Sequence, residues 1–351
     1  MSKKLFIKKN LKYFAKIIIK FPLITAGIVC QEIYGFFIYL ISNKPKILIL
    51  NPIKRAKKIA IFAAYRKNLD MCLDLTLCEL KKRGFNIVFV SNCKLNKKFI
   101  HQLKNKADIV IERGNYGRCL AAYKAGFLFI KSNNFYSAKD ILFMNDTAIF
   151  PIYNSDKFWR DMDTCDAQIA GIYESNEISH HIQSFFIYCK NQVFLEPSFI
   201  NFWIKYKFFN AKYLIIKFGE IQFSKMAKKN NFKLYAFINL KKLIISFNKN
   251  LKFIKREMYW LFRKRISVKR ALQLRNNPSH YLALFSLVLM NLPLIKKNLL
   301  STEAVVLHQV ALALEKLKLK VNSDYILSEL SIKDKKKFSF LFKLKCYMRM
   351  I

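Results

Sequence analysis

Glycine and proline are scarce in this chain, with 8 and 7 residues among 351. The sequence contains neither a low-complexity linker nor an internal repeat, which excludes a chain of flexible spacers or tandem modules. Hydrophobic residues make up 53% of it. A chain of this length and composition is globular, has room for about two domains and can bury a sizeable core.

The spacing that metal-binding cysteines and histidines require is also missing. None of the eight cysteines belongs to a CxxC pair, and the histidines form neither an HxH nor an HExxH pattern. These absences argue against a zinc site. Most of the cysteines lie inside apolar runs, which is typical of reduced thiols in the core of a cytoplasmic protein.

Acidic residues are few, 22 against 63 lysines and arginines, and the formal net charge is +41. The excess is largest at the ends, with +12 over residues 1–58 and +18 over residues 241–351. Basic ends favour contact with an anionic partner, either membrane headgroups or nucleic acid. Codon bias is the alternative explanation, because the chain is rich in the residues that AT-rich genomes encode.

One stretch of the chain reverses this charge. Residues 140–177 contain eight acids, opposed only by Lys157 and Arg160. A divalent cation, a site for sugar hydroxyls or ordinary surface variation would each account for the reversal. The acids are Asp140, Asp146, Asp156, Asp161, Asp163, Asp166, Glu174 and Glu177.

Residues 21–42 form an apolar run that is about long enough to span a bilayer. Gln31 and Glu32 lie near its middle, where a carboxylate costs about 2.5–3.5 kcal/mol on insertion. We therefore expect a membrane-associated helix that lies in the interface or against the protein rather than across the bilayer. We do not expect a cleaved signal peptide, because no small-residue cleavage site follows.

From residue 57 the pattern predicts alternating strands and helices, and hence an α/β fold. Continuous apolar strands predict a mostly parallel sheet covered by helices on both faces. The predicted strands are residues 58–64, 86–91, 107–111, 140–144, 168–172, 181–190 and 234–237. The predicted helices are residues 69–83, 96–105, 117–131, 194–206 and 216–229. We predict a basic N-terminal segment at 1–56, a nucleotide-sugar domain at 57–240 and a basic helical region at 241–351.

The predicted strand 140–144 leads into Asn145, Asp146 and Thr147. The carboxyl end of such a strand is where open α/β sheets bind their ligands. Asp146 is a candidate ligand for Mg²⁺ or Mn²⁺, which proteins hold with one or two carboxylates plus substrate phosphates. Thr147 and Asn145 would add a hydroxyl and an amide. The alternative is a turn cap, a role that all three residue types serve well.

A second candidate is the turn at residues 113–118, between a predicted strand and a predicted helix. Its glycines permit tight backbone geometry, and the free amides at a helix start favour an anion. Arg118 could clamp a phosphate through two hydrogen bonds. An ordinary strand-to-helix turn with a solvated arginine is the alternative.

Other polar side chains are candidates on weaker grounds. His180 and His181 point to opposite faces if the chain is extended there, so one of them could meet a ligand. Asp166, Glu174 and Glu220 are candidate bases, and Asp166 is our choice. A base must lie within hydrogen-bond reach of its proton, which the sequence cannot test.

Seven segments, in this order, resemble the rhamnan synthesis protein F family of glycosyltransferase-like proteins in bacterial polysaccharide assembly. The resemblance covers about residues 57–300. The segments are KIAIFAAY, FNIVFVSN, ERGNYGRCLAAYKAGF, ILFMNDTAIFP, HIQSFFIY, FGEIQFSKMAKKNNF and NPSHYLALFSLVLMNLPLIKKNLL.

The resemblance implies roles for particular residues. Asn115 and Gly117 match the turn of the family and would contact the donor nucleotide, and Asp146 falls where GT-A-like transferases keep a metal-binding acid. Four further residues match the family's later motifs: His181, Gln183 and Ser184 on a Ser-Phe-Phe-type strand, and Glu220 at a helix start. Cys119 departs from the pattern, because the family turn usually has aspartate there.

The resemblance and the residues together predict a cytoplasmic glycosyltransferase with a GT-A-like fold at the inner face of the bacterial plasma membrane. It would move a sugar, rhamnose being one candidate, from a nucleotide diphosphate to a lipid-linked saccharide or growing polysaccharide. The predicted catalytic residues are Asp166, Glu220 and His181. The predicted donor-binding residues are Asn115, Gly117, Arg118, Asn145, Thr147, Gln183 and Ser184, with a divalent metal on Asp146.

Two other functions stay open. Cys119 motivates a membrane-surface scaffold that keeps the fold but has lost the chemistry. Nucleic-acid binding is motivated by the charge and by the aromatic residues among the lysines at 252–270. It ranks last, because the basic residues follow no nucleic-acid motif, and we expect no nucleic-acid partner.

Overall fold

A computed structural model of the chain describes residues 45–51, 53, 57–134, 137–176, 178–249, 286–287 and 289–297, together with residues 30, 32–34 and 37. The apolar run at 21–42 is thus represented by five residues, and all five are helical. Most of the predicted helical region at 241–351 lies outside the described residues.

The strands are short and mostly buried. They are β1 (Lys46–Leu50), β2 (Lys58–Ala64), β3 (Phe85–Ser91), β4 (Ile109–Glu112), β5 (Asp140–Asn145), β6 (Ala148–Ile149), β7 (Ile169–Ser175), β8 (His181–Ile182), β9 (Phe186–Cys189), β10 (Leu234–Ile238) and β11 (Ile295–Lys296).

Helices separate most of the strands. They are α1 (Met71–Lys82), α2 (Lys97–Leu103), α3 (Arg118–Ser132), α4 (Asp156–Thr164), α5 (Pro197–Lys205), α6 (Lys212–Ile215), α7 (Ile221–Lys229) and α8 (Leu240–Lys249). A π-helical segment, Ile216–Glu220, joins α6 to α7.

The large sheet has the order β1-β4-β3-β2-β5-β9-β7-β10, with β8 paired to β7. Strands β4, β3, β2 and β5 run parallel, as predicted, and β10 runs parallel to β7. The sheet is nevertheless mixed, because β9 is antiparallel to both β5 and β7, and β1 is antiparallel to β4. The connection from β7 to β9 is too short for the crossover that a parallel pair requires.

Helices cover both faces of the sheet, as the continuous apolar strands predicted. Along β2, Ala60 and Phe62 belong to a core with α1, α2 and α4, whereas Ile59 and Ile61 belong to a second core with α3, α5 and α7. Successive strand residues point to opposite faces, so one apolar strand supplies both cores. The fold is a mixed α/β architecture with a large central sheet.

Three elements depart from the predicted pattern. Helix α4 lies where the sequence showed only an acidic stretch, and it buries Phe158, Trp159 and Met162. The predicted strand at 181–190 is broken into β8 and β9, because the amide of Ser184 donates to Glu220 instead of to a strand. The apolar stretch 282–294 predicts a core helix, but its described residues are helical only up to residue 289, and Ile295–Lys296 beyond it form β11 against β6.

Within the described ranges, no helix is both long enough and apolar enough to cross a bilayer.

Candidate active site

A cavity of about 630 Å³ opens at the carboxyl ends of the parallel strands β2, β3 and β5. This is the edge at which open α/β sheets bind ligands, and the volume suits a small ligand. Most of the predicted site residues, drawn from four separate segments, line this one cavity. They are Asn115, Arg118, Asn145, Asp146, Thr147, His181, Gln183, Ser184 and Glu220.

Asp146 follows β5 directly and is held by two donors. Its Oδ2 accepts hydrogen bonds from the amide of Tyr65 and from Nε of Arg66, both at 3.1 Å. Arg66 also pairs with Asp70 at 3.2 Å, so this guanidinium joins two carboxylates. Charge and hydrogen bonds together fix the Asp146 carboxylate at the cavity wall.

Asn145 and Thr147 are bonded to each other. The Asn145 side-chain oxygen accepts from the amide of Thr147 at 3.1 Å and from its hydroxyl at 2.5 Å. This is the turn-capping geometry that the sequence left open as an alternative. Asn145 is buried while Thr147 is exposed, so the cap orders the loop that carries Asp146.

The side chains around Asp146 supply only some of the ligands that a metal ion needs. The described residues contain no group of three or more His, Cys, Asp or Glu side chains that could hold a metal ion. A cage made by the protein alone therefore does not fit within that part of the chain. A Mg²⁺ ion shared between one carboxylate and a substrate diphosphate does fit, because Mg²⁺ needs few protein ligands there.

Gly117 shapes the turn that enters α3. Its φ of +78° suits glycine, and a Cβ there would lie 2.6 Å from Cβ of Ala121 and 2.9 Å from that of Phe208. The Gly117 amide donates to Oδ1 of Asn210 at 3.0 Å. This close approach brings Asn115 and Arg118 to the cavity, whereas Gly117 itself is buried beside it.

Glu220 and His181 form a buried pair at the base of the cavity. Glu220 Oε2 lies 3.2 Å from Nε2 of His181, and His181 Nδ1 lies 2.7 Å from the carbonyl oxygen of Ser179. Burial raises the pKa of Glu220, but hydrogen bonds and charge from His181, with Ser184, bring that pKa below its ordinary value. Glu220 is therefore a carboxylate, and each ring nitrogen of His181 lies within hydrogen-bond distance of an oxygen.

The Glu220 carboxylate also organises the loop between β8 and β9. Its Oε1 accepts from the amide and the hydroxyl of Ser184, at 2.9 Å and 2.5 Å. The hydroxyl of Tyr123 donates a hydrogen bond to the backbone carbonyl oxygen of Ser184 at 3.0 Å. Glu220 ends the π-helical segment, a distortion that is frequent at functional sites.

Cys119, which departs from the pattern that the resemblance implies, also lines the cavity. Burial raises the pKa of its thiol to about 11, with a further contribution from the negative charge of Glu220. The thiol is therefore neutral at physiological pH. It also contacts the Asn145 side chain.

Asp166 does not join this site, which corrects our choice of base. It precedes β7, and β7 runs parallel to β5 because both are antiparallel to β9. Asp166 thus lies at the amino ends of the strands, whereas the cavity lies at the carboxyl ends. Its carboxylate is solvent-exposed and pairs with Lys233 at 2.7 Å.

Sequence reasoning missed several cavity residues, among them two lysines. Lys296 reaches the cavity because β11 pairs with β6; its Nζ donates to Gln183 at 2.8 Å and lies 4.5 Å from the Phe185 ring centre. The available signal was its position in the last of the seven segments that resemble the family, which contains Pro-Leu-Ile-Lys-Lys at 293–297. Lys212, Asn210 and Tyr34 also line the cavity, and no local pattern marks them.

The charge of the cavity wall is positive. Arg118, Lys212 and Lys296 line it, while its two carboxylates, Asp146 and Glu220, are paired with Arg66 and His181. Cationic groups with compensated acids favour an anionic ligand.

The fold and the site define an α/β protein with a cationic ligand cavity at the carboxyl ends of its parallel strands. The chain belongs to the rhamnan synthesis protein F family, whose sequence model matches residues 87–346. The resemblance seen in the sequence is thus confirmed.

One curated relative carries the name "Uncharacterized protein y4gN" and comes from Sinorhizobium fredii (strain NBRC 101917 / NGR234). It is 29% identical over 190 residues, which are 51% of this chain and 46% of that protein. The match therefore spans less than half of the relative's length.

Proposed function

We propose that the protein is a glycosyltransferase that uses a nucleotide-diphosphate sugar, with a GT-A-like arrangement of sheet and site. The observation that carries the proposal is the cationic cavity at the strand ends, with Arg118, Lys212 and Lys296 on its wall. A sugar nucleotide presents a diphosphate, and its negative charge grows as the glycosidic bond to the leaving group breaks. Positioned cations stabilise that developing charge. Rhamnose is the sugar that the family name suggests.

Asp146 is the carboxylate that we assign to the reacting end of the substrate. Within the described part of the chain, its hydrogen bonds go to Oδ2. Oδ1 would then accept the proton of the acceptor hydroxyl or hold a divalent ion. Such an ion, when bound, supplies Lewis-acid stabilisation of the diphosphate. Glu220 is the poorer base, because Ser184 and His181 already engage both of its oxygens.

The remaining substrate and location follow from the same proposal. The acceptor is a lipid-linked saccharide or a growing surface polysaccharide, met at the cytoplasmic face of the plasma membrane. The excess of lysine and arginine would hold the enzyme near anionic headgroups.

The test is a thermal-unfolding screen of the full chain with nucleotide sugars, with and without Mg²⁺ or Mn²⁺. A ligand that binds only the folded state stabilises it by about 2.7 kcal/mol at 100 times its dissociation constant. We expect one nucleotide class to raise the melting temperature, and Lys212→Gln to weaken that effect. The matched control is Lys97→Gln, an exposed lysine on α2 outside the cavity. The proposal fails if no nucleotide sugar stabilises the wild-type chain under either metal condition.

A membrane-surface scaffold is the second candidate, favoured by the neutral thiol of Cys119. The two candidates differ in cells that depend on this protein for polysaccharide assembly. Asp146→Ala would abolish assembly if the protein is an enzyme and would leave it intact if the protein is a scaffold. Immunoblotting of the variant checks that loss of assembly is not loss of protein.

A further inference from the structure

A groove of about 470 Å³ lies between α5, α7 and the loop that joins α5 to α6, outside the cavity. Phe202, Phe209, Phe218 and Met226 give it apolar walls. Four exposed lysines line the same groove, and no acidic residue does. They are Lys205, Lys207, Lys225 and Lys229.

The aromatic side chains extend this groove onto an exposed surface. Phe209 stacks on Phe218 with ring centres 5.1 Å apart, and Lys217 lies within 6 Å of the rings of Phe218 and Tyr213. Phe218 is 39% exposed and Tyr213 is 44% exposed. Aromatic rings mixed with lysines are characteristic of protein surfaces at the membrane–water interface.

The N-terminal helical residues continue the same surface. Glu32 Oε1 accepts the amides of Asn210 and Ala211, at 2.8 Å and 2.7 Å, so these residues lie against the start of α6. Ile33 and Phe37 are then 52% and 60% exposed. The carboxylate that disfavours a bilayer span is used to fix an apolar segment beside the cavity.

We infer that the surface formed by the groove, α6 and the N-terminal helical residues docks on a bilayer of anionic phospholipids. Within the described residues, the four groove lysines form no ion pair with a carboxylate, so their charge is available to lipid headgroups. Lys212 and Tyr34 line the cavity from this same side. The cavity would therefore open towards the bilayer surface, where a lipid-linked acceptor lies. This extends the membrane association in the proposed function and does not depend on the sugar chemistry.

Vesicle flotation of the full chain tests whether the groove lysines contribute to membrane binding. The groove variant is Lys205→Gln/Lys225→Gln/Lys229→Gln, and the matched control is Lys97→Gln/Lys98→Gln/Lys104→Gln, three exposed lysines in and beside α2. Each lysine near an anionic surface contributes about 1 kcal/mol, so we expect the groove variant to lose about tenfold or more in partitioning to phosphatidylglycerol-containing vesicles. The partitioning of the control variant should stay within about twofold of wild type. Vesicles of pure phosphatidylcholine should bind neither the groove variant nor the control strongly.

A tryptophan placed on the surface tests its orientation. Phe218→Trp should show a blue shift and gain of fluorescence on adding anionic vesicles, whereas Leu75→Trp, at 37% exposure on α1, should not. Thermal unfolding confirms that each variant is folded. Equal losses for both lysine triples, or no shift at position 218, overturn the inference. So does a groove variant that alters self-association in sedimentation but not vesicle binding, because the groove would then contact a second copy. Nucleotide-sugar binding is measured separately, so the two proposals can fail independently.

Discussion

Glu220 contributes both to the stability of the fold and to the geometry of the site, because it pairs with His181 and accepts hydrogen bonds from Ser184. Glu220→Gln should destabilise the fold by about 1.5–3 kcal/mol, because it removes the charged group that accepts hydrogen bonds from His181 and Ser184. Urea unfolding measures this loss. The double variant Glu220→Gln/His181→Gln should lose less than the sum of the single losses, since the interaction between the two side chains can be removed only once. Additive losses would contradict the pairing.

The same carboxylate predicts a pH dependence. The pKa of Glu220 lies below its ordinary value of 4.5 in the folded protein. Its contribution to stability is then fully present above that value and is lost as the pH falls towards the folded pKa. The wild-type chain should therefore lose stability more steeply than Glu220→Gln below about pH 4.5 in acid titrations followed by circular dichroism. Parallel curves would show that folding does not lower the pKa of Glu220.

At the scale of elements, the turn into α3 sets the position of Asn115 and Arg118 in the cavity wall. Gly117→Ala should cost at least 1 kcal/mol more than Gly84→Ala, a figure of about the size expected for overpacking. Both glycines have a φ of +78°, but a Cβ at Gly84 meets nothing within 4 Å. Backbone strain destabilises both variants, whereas the clash with Ala121 and Phe208 destabilises only Gly117→Ala. Chemical denaturation of the two variants checks this, and equal losses would refute the close approach.

Element-level patterns explain how much the sequence predicted. Strands β2 to β5 and helices α1 to α3 were found because buried parallel strands are continuous apolar runs with capped helices between them. Asp146 could be found because it follows such a strand. Glu220 and Lys296 could not be placed by local pattern, because a π-helical segment and a long-range strand pair bring them to the cavity. Asp166 was predicted as part of the site and lies outside it, because the sequence does not show at which end of the sheet a loop lies.

At the scale of the whole molecule, β1 is an edge strand of the sheet, and most of its residues are exposed. It pairs antiparallel with β4, so a chain that starts at residue 57 would expose the edge of β4, a buried apolar strand. Exposed strand edges template association between chains. We expect that truncated chain to aggregate at concentrations where Glu32→Gln, which changes only the contact with α6, stays monomeric. Light scattering after size-exclusion chromatography distinguishes them, and a monomeric truncated chain would contradict the role of β1.

The pairing of β11 with β6 has a consequence for synthesis on the ribosome. Lys296 completes a wall whose preceding described residue is Glu220, 76 residues earlier in the chain. At roughly 5–20 residues per second, the sheet through β10 emerges seconds before Lys296 does. A nascent chain can therefore fold most of its core while its cavity still lacks Lys296. Translation itself delays the moment at which the cavity acquires its full set of positive charges.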